Sequence, residues 1–173
     1  MKLSYLVRGF PGHPFHPPLT DATIGAYTAA TAFAVLAAAG VSEENLTKAW
    51  WLSLLVGLAV TAPAALTGFV DWLGISRGTP HWRTATAHLL SMLIATGLFA
   101  LTAFAGHDRY VEGEMSAQAL AGTVFGYGFL AVGGWLGGSI VFVHGMRVLN
   151  LTEEPAARAA APLTEEKERA EAG

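Results

Sequence analysis

Six histidines stand in this 173-residue chain, at positions 13, 16, 81, 88, 107 and 144, and there is no cysteine. Disulfides, thiolate zinc sites, iron–sulfur clusters and cysteine nucleophiles are therefore excluded, and imidazole is the main soft ligand on offer. Two imidazoles lie inside uncharged sequence: His88 follows Arg83 by five residues, and His144 precedes Arg147 by three. At about 1.5 Å of helical rise per residue they sit about 7 Å and about 5 Å inside their flanking arginines. Two histidines at matched depth on neighbouring helices suit a bis-histidine haem b, whose iron takes one imidazole nitrogen on each face while the macrocycle fills an apolar gap.

A second chemistry uses the carboxylates as well. His13, His16, His88 and His144 with Asp21 and Asp71 make a mixed nitrogen and oxygen set suited to zinc, iron, manganese or copper. Asp71, in Val70-Asp71-Trp72, is costly to bury unless paired. It can bind metal, orient a ligand histidine, or pair with Arg77 or Arg83. Arg8, Arg77, Arg83 and Arg147 can hold haem propionates through charge-assisted hydrogen bonds, or anchor helices at the membrane interface. His107, beside Asp108 and Arg109, reads as a solvated surface histidine. Ser91 and Ser139 lack a nucleophile motif, and Gly134 to Gly138 lack the strand, lysine and loop of a phosphate cradle.

The elements that must position these groups follow from composition. The chain is 53% hydrophobic and only 13% charged, about half the charged fraction of a soluble domain. Its net charge of −3 offers no basic field for nucleic acid. Between residue 22 and Arg147 only eleven charged side chains occur. The uncharged stretches Ala22 to Gly40, Trp50 to Val70, Thr84 to Gly106 and Ser116 to Val143 each approach or exceed the roughly 20 apolar residues of a membrane-spanning helix. The expected fold is all-α: a four-helix antiparallel membrane bundle over residues 1–150, with spans at about 20–40, 50–72, 82–106 and 116–148. Residues 151–173, rich in Ala and Glu without apolar periodicity, read as a polar, disordered tail. Residues 1–21 lack a compact basic region ahead of the first span, so this segment is expected to stay in the mature protein.

Lys2, Arg8, Arg77, Arg83, Arg147, Arg158, Lys167 and Arg169 fall in the termini and second loop, against Lys48 and Arg109 in the other two. The positive-inside bias then puts both termini in the cytoplasm. Five of the six histidines gather at that end. Helix four carries Gly126, Gly128, Gly133, Gly134, Gly137, Gly138 and Gly145, a small-residue surface for a flat ring or for close helix packing. With Trp50, Trp51 and Trp135 it also offers a homodimer contact.

The segment Gly12-His13-Pro14-Phe15-His16-Pro17, followed by Asp21 and Ile24-Gly25, resembles the opening signature of the bacterial membrane-protein family catalogued as domain of unknown function 2231. Leu66-Thr67-Gly68-Phe69-Val70-Asp71-Trp72 agrees with it, as do Gly134-Trp135-Leu136-Gly137-Gly138 and His144-Gly145-Met146-Arg147-Val148. The resemblance spans residues 9 to 150. Ala22-Thr23 departs from the bulkier aromatic-proline pair often found there, and Ala87-His88-Leu89-Leu90-Ser91 lacks a polar amide near Ser91. The resemblance implies a four-span module of the bacterial inner membrane in an electron-transfer setting, similar to b-type cytochrome bundles and sometimes attached to Rieske-type domains. With no cysteine of its own, such a module would exchange electrons with a quinone or another redox protein.

The expectation is an electron-transfer or binding module, rather than a stand-alone enzyme, holding haem b between His88 and His144. His13, His16, Asp21, Asp71 and the arginines would form its polar edge. The Pro-rich segment of His13 and His16 can also fold over the bundle end to replace one ligand, or hold a second haem. The alternatives are a site for a zinc, iron or copper ion in a metal-binding or metal-transport protein, and a structural subunit of a larger membrane complex.

Overall fold

A computed structural model describes residues 5–149 and 151–161. A short helix α1 (Tyr5–Arg8) leads into a two-stranded antiparallel hairpin, β1 (Gly9–Phe10) and β2 (His13–Pro14), in which Gly9 opposes Pro14. Gly9 and Gly12 have φ of +78° and +73°, conformations glycine adopts without steric cost. Four long helices follow: α2 (His16–Ala38), α3 (Glu43–Leu73), α4 (Pro80–Ala105) and α6 (Ala117–Phe142), with short α5 (His107–Glu112) between the last two. A single-turn helix, α7 (Ala156–Ala159), lies in the tail, where Arg158 pairs with Glu154 at 2.8 Å.

The helix starts have local causes. Pro17 and Pro80 occupy first-turn positions of α2 and α4, where a missing N–H is harmless. Thr79 and Ser116 cap α4 and α6 by accepting from the amides of Trp82 and Ala119. Glu43 and Glu44 stand in the first turn of α3, where negative charge complements the helix dipole.

α2 packs along α3 and α4 along α6, while α2–α6 and α3–α4 contacts close the ring. The core is made of small residues around a few aromatics: Ala30, Ala34, Ala95 and Ala119 with Tyr27, Trp50 and Phe99. Small side chains let backbones approach closely where lipid offers no hydrophobic drive between helices. Trp50, fully buried, donates its indole N–H to Thr123 at 2.9 Å.

All four long helices are apolar enough and long enough to cross a bilayer. The fold is the expected all-α four-helix bundle, with three differences in the limits. α2 starts at His16 and α3 at Glu43, each several residues before the expected span. α6 ends at Phe142 rather than near residue 148, because Gly145 (φ +67°) and Arg147 (φ +58°) take left-handed conformations. His144 therefore lies past the helix. Of the expected tail, residues 151–161 carry a turn and α7, and residues 162–173 lie outside the described residues, as do Lys2, Lys167 and Arg169.

Candidate functional site

An apolar cavity of about 560 Å³ opens between the α2–α3 and α4–α6 pairs, within the range of small-molecule and cofactor sites, roughly 300–1,000 Å³. His16, at the start of α2, and His88, two turns into α4, both line it. Their rings meet edge to face with centroids 6.5 Å apart. Each is held the same way. His16 Nδ1 lies 3.0 Å from the Ala64 carbonyl of α3, with Thr67 Oγ1 at 3.3 Å. His88 Nδ1 lies 2.7 Å from the Gly133 carbonyl of α6. A carbonyl only accepts, so both Nδ1 atoms carry the proton and donate it. In a neutral ring held this way the lone pair is left on Nε2, the arrangement typical of metal-ligating histidine.

Glycines make room for both rings. A Cβ on Gly68 would stand 2.5 Å from His16 Cε1, and one on Gly137 would stand 3.2 Å from His88 Cε1. The glycine-rich surface of α6 thus has a specific use at Gly137, and α3 matches it with Gly68.

A second cavity of about 480 Å³ shares Asp71, Ile75, Met146 and Arg147 with the first and is lined as well by Arg8, Ser76, Thr79 and His81. Asp71 is buried and clamped from two sides. Arg147 donates to its Oδ1 at 2.5 Å, and Arg8 Nε stands 3.8 Å from the same atom while donating to the Val70 carbonyl at 2.9 Å. Two guanidinium groups on one carboxylate leave a net positive edge. The pairing of Asp71 with Arg77 or Arg83 does not form: both arginines are exposed, and neither lines either cavity.

His144 is drawn elsewhere. Its ring stacks on His81 with centroids 5.0 Å apart, and its Nε2 is 3.0 Å from Thr84 Oγ1. The imidazole facing His88 is His16, from the Pro-rich segment, and not His144. Matched depth had suggested the His88–His144 pair, but the break after Phe142 turns His144 toward the outer turn of α4. His13 is exposed on β2, and Asp21 is an exposed residue at the rim of the larger cavity. His107, at the opposite end, packs on Trp51. Among the described residues no three His, Asp or Glu side chains converge where a metal ion could sit.

The family model described as Predicted membrane protein (DUF2231) matches residues 12–150. The chain belongs to this family. The DUF2231 match covers all four long helices and every residue of the two cavities named above except Arg8. It makes this a multi-pass membrane protein. No curated protein and no solved structure matches the chain at a significant level.

Within this DUF2231 chain, sequence reasoning passed over His81, whose Nε2 is buried without a hydrogen-bond partner. A signal was available: His81 and His88 are seven residues apart, hence on one face of a helix. The two carbonyl partners, Ala64 and Gly133, carry no such signal, since backbone groups are common to every residue.

Proposed function

We propose that this protein is a membrane haem b protein acting in electron transfer, in which His16 and His88 would hold the iron. One observation carries the reading: two imidazoles, each donating from Nδ1 to a backbone carbonyl, stand together in the lining of one apolar cavity with ring centroids 6.5 Å apart. The donor set fits a group held by two imidazole nitrogens, and among the described residues no third protein ligand joins them as a bare zinc or iron site would require.

Arg8 and Arg147 line the neighbouring cavity, which shares Asp71 with the apolar one. They would receive propionates through charge-assisted hydrogen bonds. Bound haem supplies a reversible one-electron couple. The chain's own work is to fix two ring orientations through carbonyl acceptors, to exclude water with an apolar lining, and to balance acidic groups with the two arginines. The electron partner would be a quinone or a second redox protein.

The test is an absorption spectrum of detergent-purified protein, oxidised and then reduced. A low-spin spectrum with a red-shifted Soret band on reduction is expected, lost in His16→Ala and in His88→Ala but retained in His144→Ala. Protein that stays colourless after incubation with haem overturns the reading.

A further inference from the structure

The two helix pairs repeat each other position by position. His16 in α2 and His88 in α4 are 72 residues apart, and so are Tyr27 and Phe99, whose rings stack with centroids 4.0 Å apart. In the partner helices Gly57 and Gly126 are 69 apart, as are Gly68 and Gly137 and the carbonyl acceptors Ala64 and Gly133. The contacts correspond too. A Cβ on Gly57 would collide with the Tyr27 ring and one on Gly126 with the Phe99 ring, while Gly68 and Gly137 lie under His16 and His88.

Within each helix the two layers are eleven residues apart, three turns at about 3.6 residues per turn, so both lie on one face. Much of the cavity lining follows the same offsets. Thr20 and Asp21 line it with Met92 and Leu93, and Ala65 and Asp71 with Gly134 and Ile140. The copies have diverged in polarity: Thr20, Asp21 and Asp71 correspond to Met92, Leu93 and Ile140, while Ile24 against Thr96 runs the other way.

We infer that the bundle is two copies of one helical hairpin, α2–α3 and α4–α6, related by a pseudo-two-fold axis between His16 and His88. The cavity is then a joint site of two equivalent half-sites, each contributing one imidazole, one carbonyl acceptor and one glycine seat. Such a site fits a flat ligand that presents like faces to two donors. Parallel repeats about an axis along the membrane normal, with the ligand at the repeat interface, are an established design among membrane proteins. Only the haem arm of the test rests on the function proposed above; the repeat does not.

The experiment uses single-cysteine variants of the full chain, which has no cysteine of its own. Thr20→Cys and Met92→Cys occupy equivalent cavity positions, so a small maleimide should label both, the first more slowly because the Asp21 carboxylate beside it disfavours the thiolate. Haem added beforehand should protect both. Labelling of one site but not the other overturns the duplicated site. Labelling of both that haem leaves unchanged supports the duplicated site and overturns the haem reading. Imidazole added to His16→Ala and to His88→Ala should restore the low-spin spectrum in both; rescue of one alone overturns the equivalence.

Discussion

His16 and His88 meet edge to face, each tied through Nδ1 to a carbonyl of the helix beside it. Ring position is therefore set by backbone, and the glycines under the rings control it. Gly68→Ala puts a methyl 2.5 Å from His16 Cε1, and Gly137→Ala puts one 3.2 Å from His88. The first must displace its imidazole, whereas the second needs a shift of a few tenths of an ångström. Haem titration followed by absorbance should show the larger loss of affinity in Gly68→Ala. Equal or reversed losses would contradict the seat geometry.

The Asp71 clamp is structural whatever the cavity binds. Asp71→Asn removes the charge that two arginines share, and breaking a buried pair costs roughly 3–5 kcal/mol. Arg8 and Arg147 keep 38% and 28% of their side chains exposed, so screening reduces the expected loss to about 1–2 kcal/mol. Thermal unfolding in detergent should show a lower midpoint for Asp71→Asn. An unchanged midpoint would mean that the clamp contributes nothing.

Deeper in the bundle, the Tyr27–Phe99 stack rests on glycine at both sides. Gly126→Ala brings a methyl to 2.9 Å from the Phe99 ring, and overpacking of this kind costs about 1–3 kcal/mol. Gly97 in α4 has nothing within 4 Å, so Gly97→Ala should instead stabilise by about 0.5–1 kcal/mol through helix propensity. The two melts should move in opposite directions.

Trp50 and Thr123 are both fully buried, and their hydrogen bond joins α3 to α6. Thr123→Val keeps the shape and strands the indole N–H, a loss of about 1–3 kcal/mol. Thr123→Ser retains the hydroxyl and should recover most of it. If valine and serine melt alike, the bond is not a source of stability.

The four spans were legible because lipid demands a length and a hydropathy that the sequence displays openly. The end of α6 was not: Val141 to Val143 continue the apolar run, and the break depends on left-handed turns at Gly145 and Arg147, one of them at a non-glycine residue. The site was half legible. Histidine type and axial depth follow from sequence, which is why His88 stood out. Which imidazole it faces depends on helix rotation and on the fold of the segment ahead of α2, and so His16 displaced His144. Pairing is one of three roles the sequence offers Asp71, but its partners are 63 and 76 positions away, beyond the local spacing that points to Arg77 and Arg83. Registering α2–α3 against α4–α6 would have matched His16 with His88 without coordinates.

The distribution of side-chain size has its own consequence. Ala30 and Ala34 are fully buried, while Phe104, Trp135 and Phe142 are 87%, 81% and 88% exposed. In a water-soluble protein the bulky residues would be the intolerant ones. Here bulk faces a fluid that accepts any apolar shape, whereas each interior alanine or glycine sets how near two backbones come. Substitutions that enlarge the smallest residues should be selected against, and those that exchange one large apolar surface residue for another should drift freely.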